Sequence, residues 1–287
     1  MSAVRAASVT RPNLSVRVSP RAITFWSVLA LYVALTILIL VPSPVLDLDQ
    51  YLAGLHLKAA HPGWRPWING YVMFGQRGPA TLTFLPVFLW VAWRSRSKRP
   101  LVMLGTALVL LNVSVGVVKY ATGRVGPMHV GDGDVHDIFA GGNIYPSGHV
   151  SNAVVLYGLV AWIVAARWRT LAITLAVFLS LTVGLSTVYL RTHWFSDVVG
   201  GWLAGALVLV SLPTAMPYAE RWTDRFLVAV RAWYGRRSRT GSHRVPTVVQ
   251  CPPSQPKVAP VSSSARPHRR TAVRPSFDDL DEPTRVG

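Results

Sequence analysis

Acid is scarce in this 287-residue chain: 12 Asp and Glu stand against 29 Lys and Arg, a formal net charge of +17. Cysteine is nearly missing, and the single Cys251 excludes both an internal disulfide framework and a cysteine zinc centre. Long windows lack charge of either sign: residues 22–46, 100–118, 170–190 and 198–219 contain no Asp, Glu, Lys, Arg or His. A bilayer core takes roughly 20 apolar residues per helix, whereas soluble helices carry a polar face. Four such windows exclude an ordinary soluble domain and a disordered basic protein, and they leave a nucleic-acid module no place except the termini.

What is present is apolar and aromatic: 51% of the residues are hydrophobic and 11 are Trp. Six spans are expected, at about 23–41, 79–93 (weaker, possible start near Tyr71), 101–118, 150–166, 170–190 and 197–216. The predicted fold class is an all-α integral membrane protein with six transmembrane helices. The first span follows basic residues as a secretory signal does, but Val41-Pro42-Ser43-Pro44 lacks a small-x-small cleavage pattern, so a retained anchor is expected. Residues 1–22 form a basic segment, 23–217 the membrane domain, 218–235 an amphipathic stretch suited to a membrane surface, and 236–287 an Arg-, Pro- and Ser-rich tail expected to be disordered.

Basic residues set the orientation. With the N-terminus cytoplasmic, inside segments hold 23 Lys and Arg and outside segments six: Lys58, Arg65, Arg77, Lys119, Arg124 and Arg191. Both termini are therefore expected in the cytoplasm of a multi-pass cell-membrane protein. The charge of the tail is accounted for by this rule and by contact with anionic lipid, so no nucleic-acid partner is expected.

Three outer cations, Lys119, Arg124 and Arg191, stand at or near span ends beside two histidines and a lone acid. Between Asp137 and Glu220 the only carboxylate is Asp197, four residues after His193, which puts both on one helix face. Such an Asp can take the Nδ1 hydrogen and leave Nε2 free to react, the orienting logic of a catalytic histidine; a His–Asp pair that merely caps the span has equal claim on spacing alone. His149 ends Tyr145-Pro146-Ser147-Gly148-His149, a turn into the fourth span. There Ser147 and the helix-start N–H groups suit an anion, although a plain cap would read the same way. Together these residues describe a phosphate-handling site on the outer face.

Lys119 with Gly123-Arg124 and Pro127, then Pro146-Ser147-Gly148-His149, then Ser186…His193-x-x-x-Asp197 resembles the type 2 phosphatidic acid phosphatase superfamily, the lipid phosphate phosphatases that share a core with vanadium haloperoxidases. The resemblance covers about residues 79–216. It implies a helical bundle and a metal-independent lipid phosphatase without cofactor. In the family pattern Lys-x6-Arg-Pro and Ser-Arg-x5-His-x3-Asp each carry an arginine, but this chain has Gly126 and Thr187 at those places. Arg124 and Arg191 are expected to supply the displaced guanidiniums. Arg191 does so if the helix runs through Leu190, which would place it one turn beyond Thr187.

The resemblance implies a phosphohistidine route. His193 is the nucleophile, Asp197 its orienting partner and His149 the general acid and base. Lys119, Arg124, Ser147, Gly148 and Arg191 hold the phosphate oxygens. The expected partner is a membrane lipid phosphate, of phosphatidate or polyprenyl phosphate or diphosphate type. Headgroup transfer to an alcohol is a second reading, and a non-catalytic lipid-binding relative a third, prompted by the two missing arginines. His129, Asp132, Asp134, His136 and Asp137 carry metal-ligand chemistry, but a loop joining two phosphate motifs is read as shaping the substrate site, and no metal is assigned.

Overall fold

The computed structural model describes residues 19–130 and 138–240. The basic N-terminus, most of the His129–Asp137 loop and the tail from residue 241, including Cys251, lie outside the described residues. Among the described residues there is no strand. In chain order the helices are α1 (Pro20–Leu40), α2 (Pro44–Gly54), α3 (Leu57–Ala60), α4 (Arg65–Val72), α5 (Arg77–Ser95), α6 (Arg99–Thr122), α7 (Pro127–Val130), α8 (Gly148–Ile163), α9 (Arg169–Tyr189) and α10 (Phe195–Thr240).

Among the described residues four helical stretches, not the six expected, are long and apolar enough to cross a membrane: Pro20–Leu40, Arg99–His129, Ala166–Tyr189 and Phe195–Tyr234. The expected second span is α5, which begins at Arg77; Tyr71 belongs to α4 and is cut off from α5 by the 3-10 turn Met73–Gly75 and extended Gln76. Residues 218–234 are not a separate element but the continuation of α10. There Lys98 pairs with Asp224, and Arg99 Nε lies 3.3 Å from Glu220, which ties the α5–α6 turn to the extension of α10.

Helix α8 is the axis of the packing. It is apolar all round, and nine of its 16 residues are buried, which is the pattern of a helix enclosed by others. Val155, Leu156 and Leu159 meet Ala80 and Phe88 of α5, Ala107 and Leu111 of α6, and Ala204, Val208 and Leu212 of α10. The outer helices turn apolar side chains away from the core instead. Val109, Val113 and Val117 recur every four residues on α6 and are all exposed, the surface a lipid-facing helix needs.

Small residues let α10 come close to α8. A Cβ on Gly201 would lie 2.8 Å from the Ser147 carbonyl oxygen, and one on Gly205 would lie 2.6 Å from Val154 Cβ. This is the close backbone approach that small residues permit between membrane helices. Gly201→Val should therefore lower the thermal midpoint of the purified protein, overpacking here costing about 1–3 kcal/mol. Gly105→Ala on α6, where a Cβ meets nothing within 4 Å, should leave the midpoint level or raise it.

Candidate active site

The second motif opens α8, with Ser147 as the residue before its first turn. The Ser147 N–H donates to the Asp197 carbonyl at 2.9 Å, so the start of α8 and the start of α10 are joined through the backbone. The first motif closes α6. Gly123 ends that helix at φ 54, and a Cβ there would sit 2.9 Å from Phe139 Cα. Chain reversal at this point requires glycine. The returning segment pairs with it, Phe139 N–H donating to the Thr122 carbonyl at 2.9 Å and Gly142 N–H to the Gly123 carbonyl at 2.9 Å. Through this pairing the Lys119 ammonium reaches the Asn143 carbonyl.

These elements enclose a recess of about 480 Å³ into which Lys119, Gly148, His149 and His193 converge. The His149 and His193 rings stand edge to face with centroids 5.9 Å apart. Buried polar atoms without partners collect here: Ser147 Oγ, Asn152 Oδ1 and His193 Nδ1. Unsatisfied groups are rare in folded proteins, and a cluster of them beside a recess marks a place for a polar ligand.

Sequence reasoning missed Arg77. It lines the recess with Gln76, Asn152 and Thr192. The 3-10 turn before α5 brings it there, because Gly75 packs where a Cβ would lie 3.0 Å from the His149 carbonyl oxygen. The signal was available: Arg77 is one of the six cations that the sequence reading assigned to the outer side, at the start of its span, but it belongs to none of the three motifs.

Arg124 is placed elsewhere. Its side chain is wholly buried, with Nη2 donating to Asp49 at 2.8 Å and Nη1 to Asp197 at 2.6 Å and to Ser196 Oγ at 2.7 Å. The Trp194 ring lies beneath it at 5.6 Å, so this tryptophan is part of the packing. Asp49, from α2, is a carboxylate that no motif announced. It accepts the Ser196 N–H at 2.8 Å and the Ser196 hydroxyl as well. Burial pushes its carboxyl above the usual range, and Arg124 and Ser196 pull it back.

Asp197 is correspondingly committed. One oxygen accepts from Arg124 and the other from the Trp194 N–H at 2.9 Å. That second oxygen stands 3.7 Å from His193 Nδ1, beyond hydrogen-bonding length. Arg191 also departs from expectation. Helix α9 ends at Tyr189, and Arg191 adopts φ 58, held by its N–H to the Val188 carbonyl at 2.9 Å. It does not lie one turn beyond Thr187, and it lines a second recess with Lys58 and Arg65 rather than the first.

The model of the PAP2 superfamily matches residues 100–221. The PAP2 match spans all three motifs. A stretch of 70 residues is 31% identical to phosphatidylglycerophosphatase B of Bacillus subtilis (strain 168), covering 22% of this chain and 34% of that relative. The chain therefore matches about a third of the relative's length. The crystal structure of a transmembrane PAP2-type phosphatidylglycerolphosphate phosphatase from Bacillus subtilis shares the fold, with a TM-score of 0.55 at 20% identity over 66% of this chain and 94% of that one. With its long apolar helices and this shared fold, the chain is a multi-pass membrane protein.

Proposed function

We propose that the chain is a lipid phosphate phosphatase that works through a phosphohistidine. The observation that carries this reading is the convergence of His149, His193, Lys119 and Arg77 on one recess at the open start of α8. Lys119 and Arg77 supply positive charge for the nonbridging oxygens, with the Ser147 hydroxyl and the Gly148 N–H beside them. Arg77 takes the part that Arg124 and Arg191 were expected to play.

In the first step His193 Nε2 attacks phosphorus as the ester bond breaks, and His149 gives its proton to the departing alkoxide. In the second His149 takes a proton from water, the hydroxide displaces His193, and inorganic phosphate leaves. The buried set Asp49, Arg124 and Asp197 holds two carboxylates against one guanidinium. Asp197, whose second oxygen stands 3.7 Å from His193 Nδ1, faces the imidazolium that develops in the first step. No step draws on a metal or another cofactor.

Six spans fit the direction of the helices. The starts of α5, α8 and α10 and the ends of α6 and α9 meet at the site, and Thr36 near the end of α1 shares a 2.8 Å hydrogen bond with Tyr145 beside them. The opposite ends carry Arg94, Arg96, Lys98, Arg99, Arg167 and Arg169. Lysine and arginine collect on the cytoplasmic side, so the site faces outward and both termini inward. The membrane domain is kept at 23–217, and the stretch 218–235 is the part of α10 that continues beyond the span on the inner side. The substrate keeps its tails in the bilayer and presents its phosphate to the helix ends.

The test is phosphate release by the purified protein from a panel of lipid phosphates, with and without excess chelator and acceptor alcohol. Release that survives chelation is expected. A product joined to the alcohol would favour headgroup transfer instead, and no release from any lipid would favour a lipid-binding relative.

A further inference from the structure

The recess that takes Arg191 is of similar size to the first, about 490 Å³, and different in character. Lys58, Arg65 and Arg191 line it together with His56, Pro127 and Met128, and no carboxylate among the described residues lines it. Arg191 adopts a positive φ that a non-glycine residue rarely takes, and its Nε is buried without a partner. Such backbone persists only where the surroundings enforce it, and it is the kind of outlier from which a functional role is argued. Here Arg191 lines the second recess and not the first.

The two recesses share a wall. Thr192 and His193 face the first and Arg191 the second, along one short segment. Gly126, where the family motif has an arginine, lies on the same wall. A Cβ there would be 3.4 Å from Ile144, which lines the first recess, and 3.5 Å from the Thr192 carbonyl oxygen, while Pro127 next to it lines the second. With glycine at this position no side chain stands across the boundary.

We infer that Lys58, Arg65 and Arg191 form a second anion site, separate from the reacting phosphate site, that takes a phosphodiester. The inference rests on the phosphatase reading for the first recess. Arg191 and His193, with Thr192 between them, line different recesses, and consecutive Cα atoms are about 3.8 Å apart, so the two anions are several bonds apart. This spacing does not suit the adjoining phosphoryl group of a diphosphate, one bridging oxygen away. It suits a phosphodiester that the substrate itself carries on a short linker, or the headgroup of a neighbouring anionic lipid.

The two sources separate in kinetics. Wild type, Lys58→Ala, Arg65→Ala and Arg77→Ala are compared in neutral detergent on a lipid carrying a phosphomonoester alone and on one carrying a phosphodiester as well. Each is repeated with added phosphatidylglycerol. If the substrate supplies the second anion, Lys58→Ala and Arg65→Ala raise KM about tenfold for the two-anion lipid and less than twofold for the other, whereas Arg77→Ala raises both. If a neighbouring lipid supplies it, phosphatidylglycerol lowers the wild-type KM for the monoester, and the two variants lose that response. Equal changes on both lipids in neutral detergent, or no change anywhere, overturn the second site. Equilibrium binding of phosphatidylglycerol to His193→Ala, with and without Arg65→Ala, reads the same site without turnover. Loss of binding with Arg65→Ala supports it even if no lipid is hydrolysed, and unchanged binding overturns it.

Discussion

His193→Ala should reduce phosphate release to background, a loss on the order of 10⁴ or more, as when a covalent nucleophile is removed. The fold should survive, because His193 Nδ1 has no partner to lose and the ring sits at the edge of the recess. The thermal midpoint is the check on that. His149→Ala should fall by about 10²–10⁴, and it separates the two roles further. With an activated aryl phosphate the leaving group needs no proton, so the first step proceeds without His149 while hydrolysis of the intermediate slows. Acid-labile phosphate should then accumulate on His149→Ala and be missing from His193→Ala. Label on both variants, or normal turnover by His193→Ala, would sink the assignment of the nucleophile.

Arg124→Ala should be the most destabilising single change in the site region. It strands two buried carboxylates, Asp49 and Asp197, each within 2.8 Å of the guanidinium. Removing one partner of a buried pair typically costs about 3–5 kcal/mol, which lowers the thermal midpoint by on the order of 10 °C. A residue that only bound phosphate would instead raise KM with the midpoint unchanged, so the two measurements decide between the roles. Asp49→Ala should also destabilise. Combined with Arg124→Ala it should fall short of the sum, since both act in one network.

The helical, membrane-bound character of the chain was legible from charge-free windows, because lipid imposes length and composition on any helix that crosses it. His149 and His193 share a recess, and it was the resemblance of their motifs that grouped them; spacing alone had put His193 on one helix face with Asp197, whereas it precedes the first residue of α10. The cations were harder. Lys119 lines the recess with the two histidines, whereas Arg124 and Arg191 were judged by nearness in sequence to Gly126 and Thr187. Burial decides the direction of Arg124, through an Asp49 supplied by a distant helix. A left-handed residue after α9 decides that of Arg191. Arg77 arrives through the packing of Gly75, a contact between segments some seventy residues apart in the chain. Periodicity carries local geometry, and these three outcomes depend on long-range contacts.

The glycine seam between α8 and α10 also bears on biosynthesis. A chain is made from its N-terminus, and early segments fold first. Lys119, Arg77 and His149 all precede α9, whereas His193 and Asp197 come only with the last long helix. A nascent chain that has inserted through α8 holds the cationic recess and the acid–base histidine but no nucleophile. Arg124 then has Asp49 alone until Asp197 arrives. On the proposed reading, docking of α10 both balances the buried arginine and completes the site, so an incompletely made molecule would hold phosphate without cleaving it.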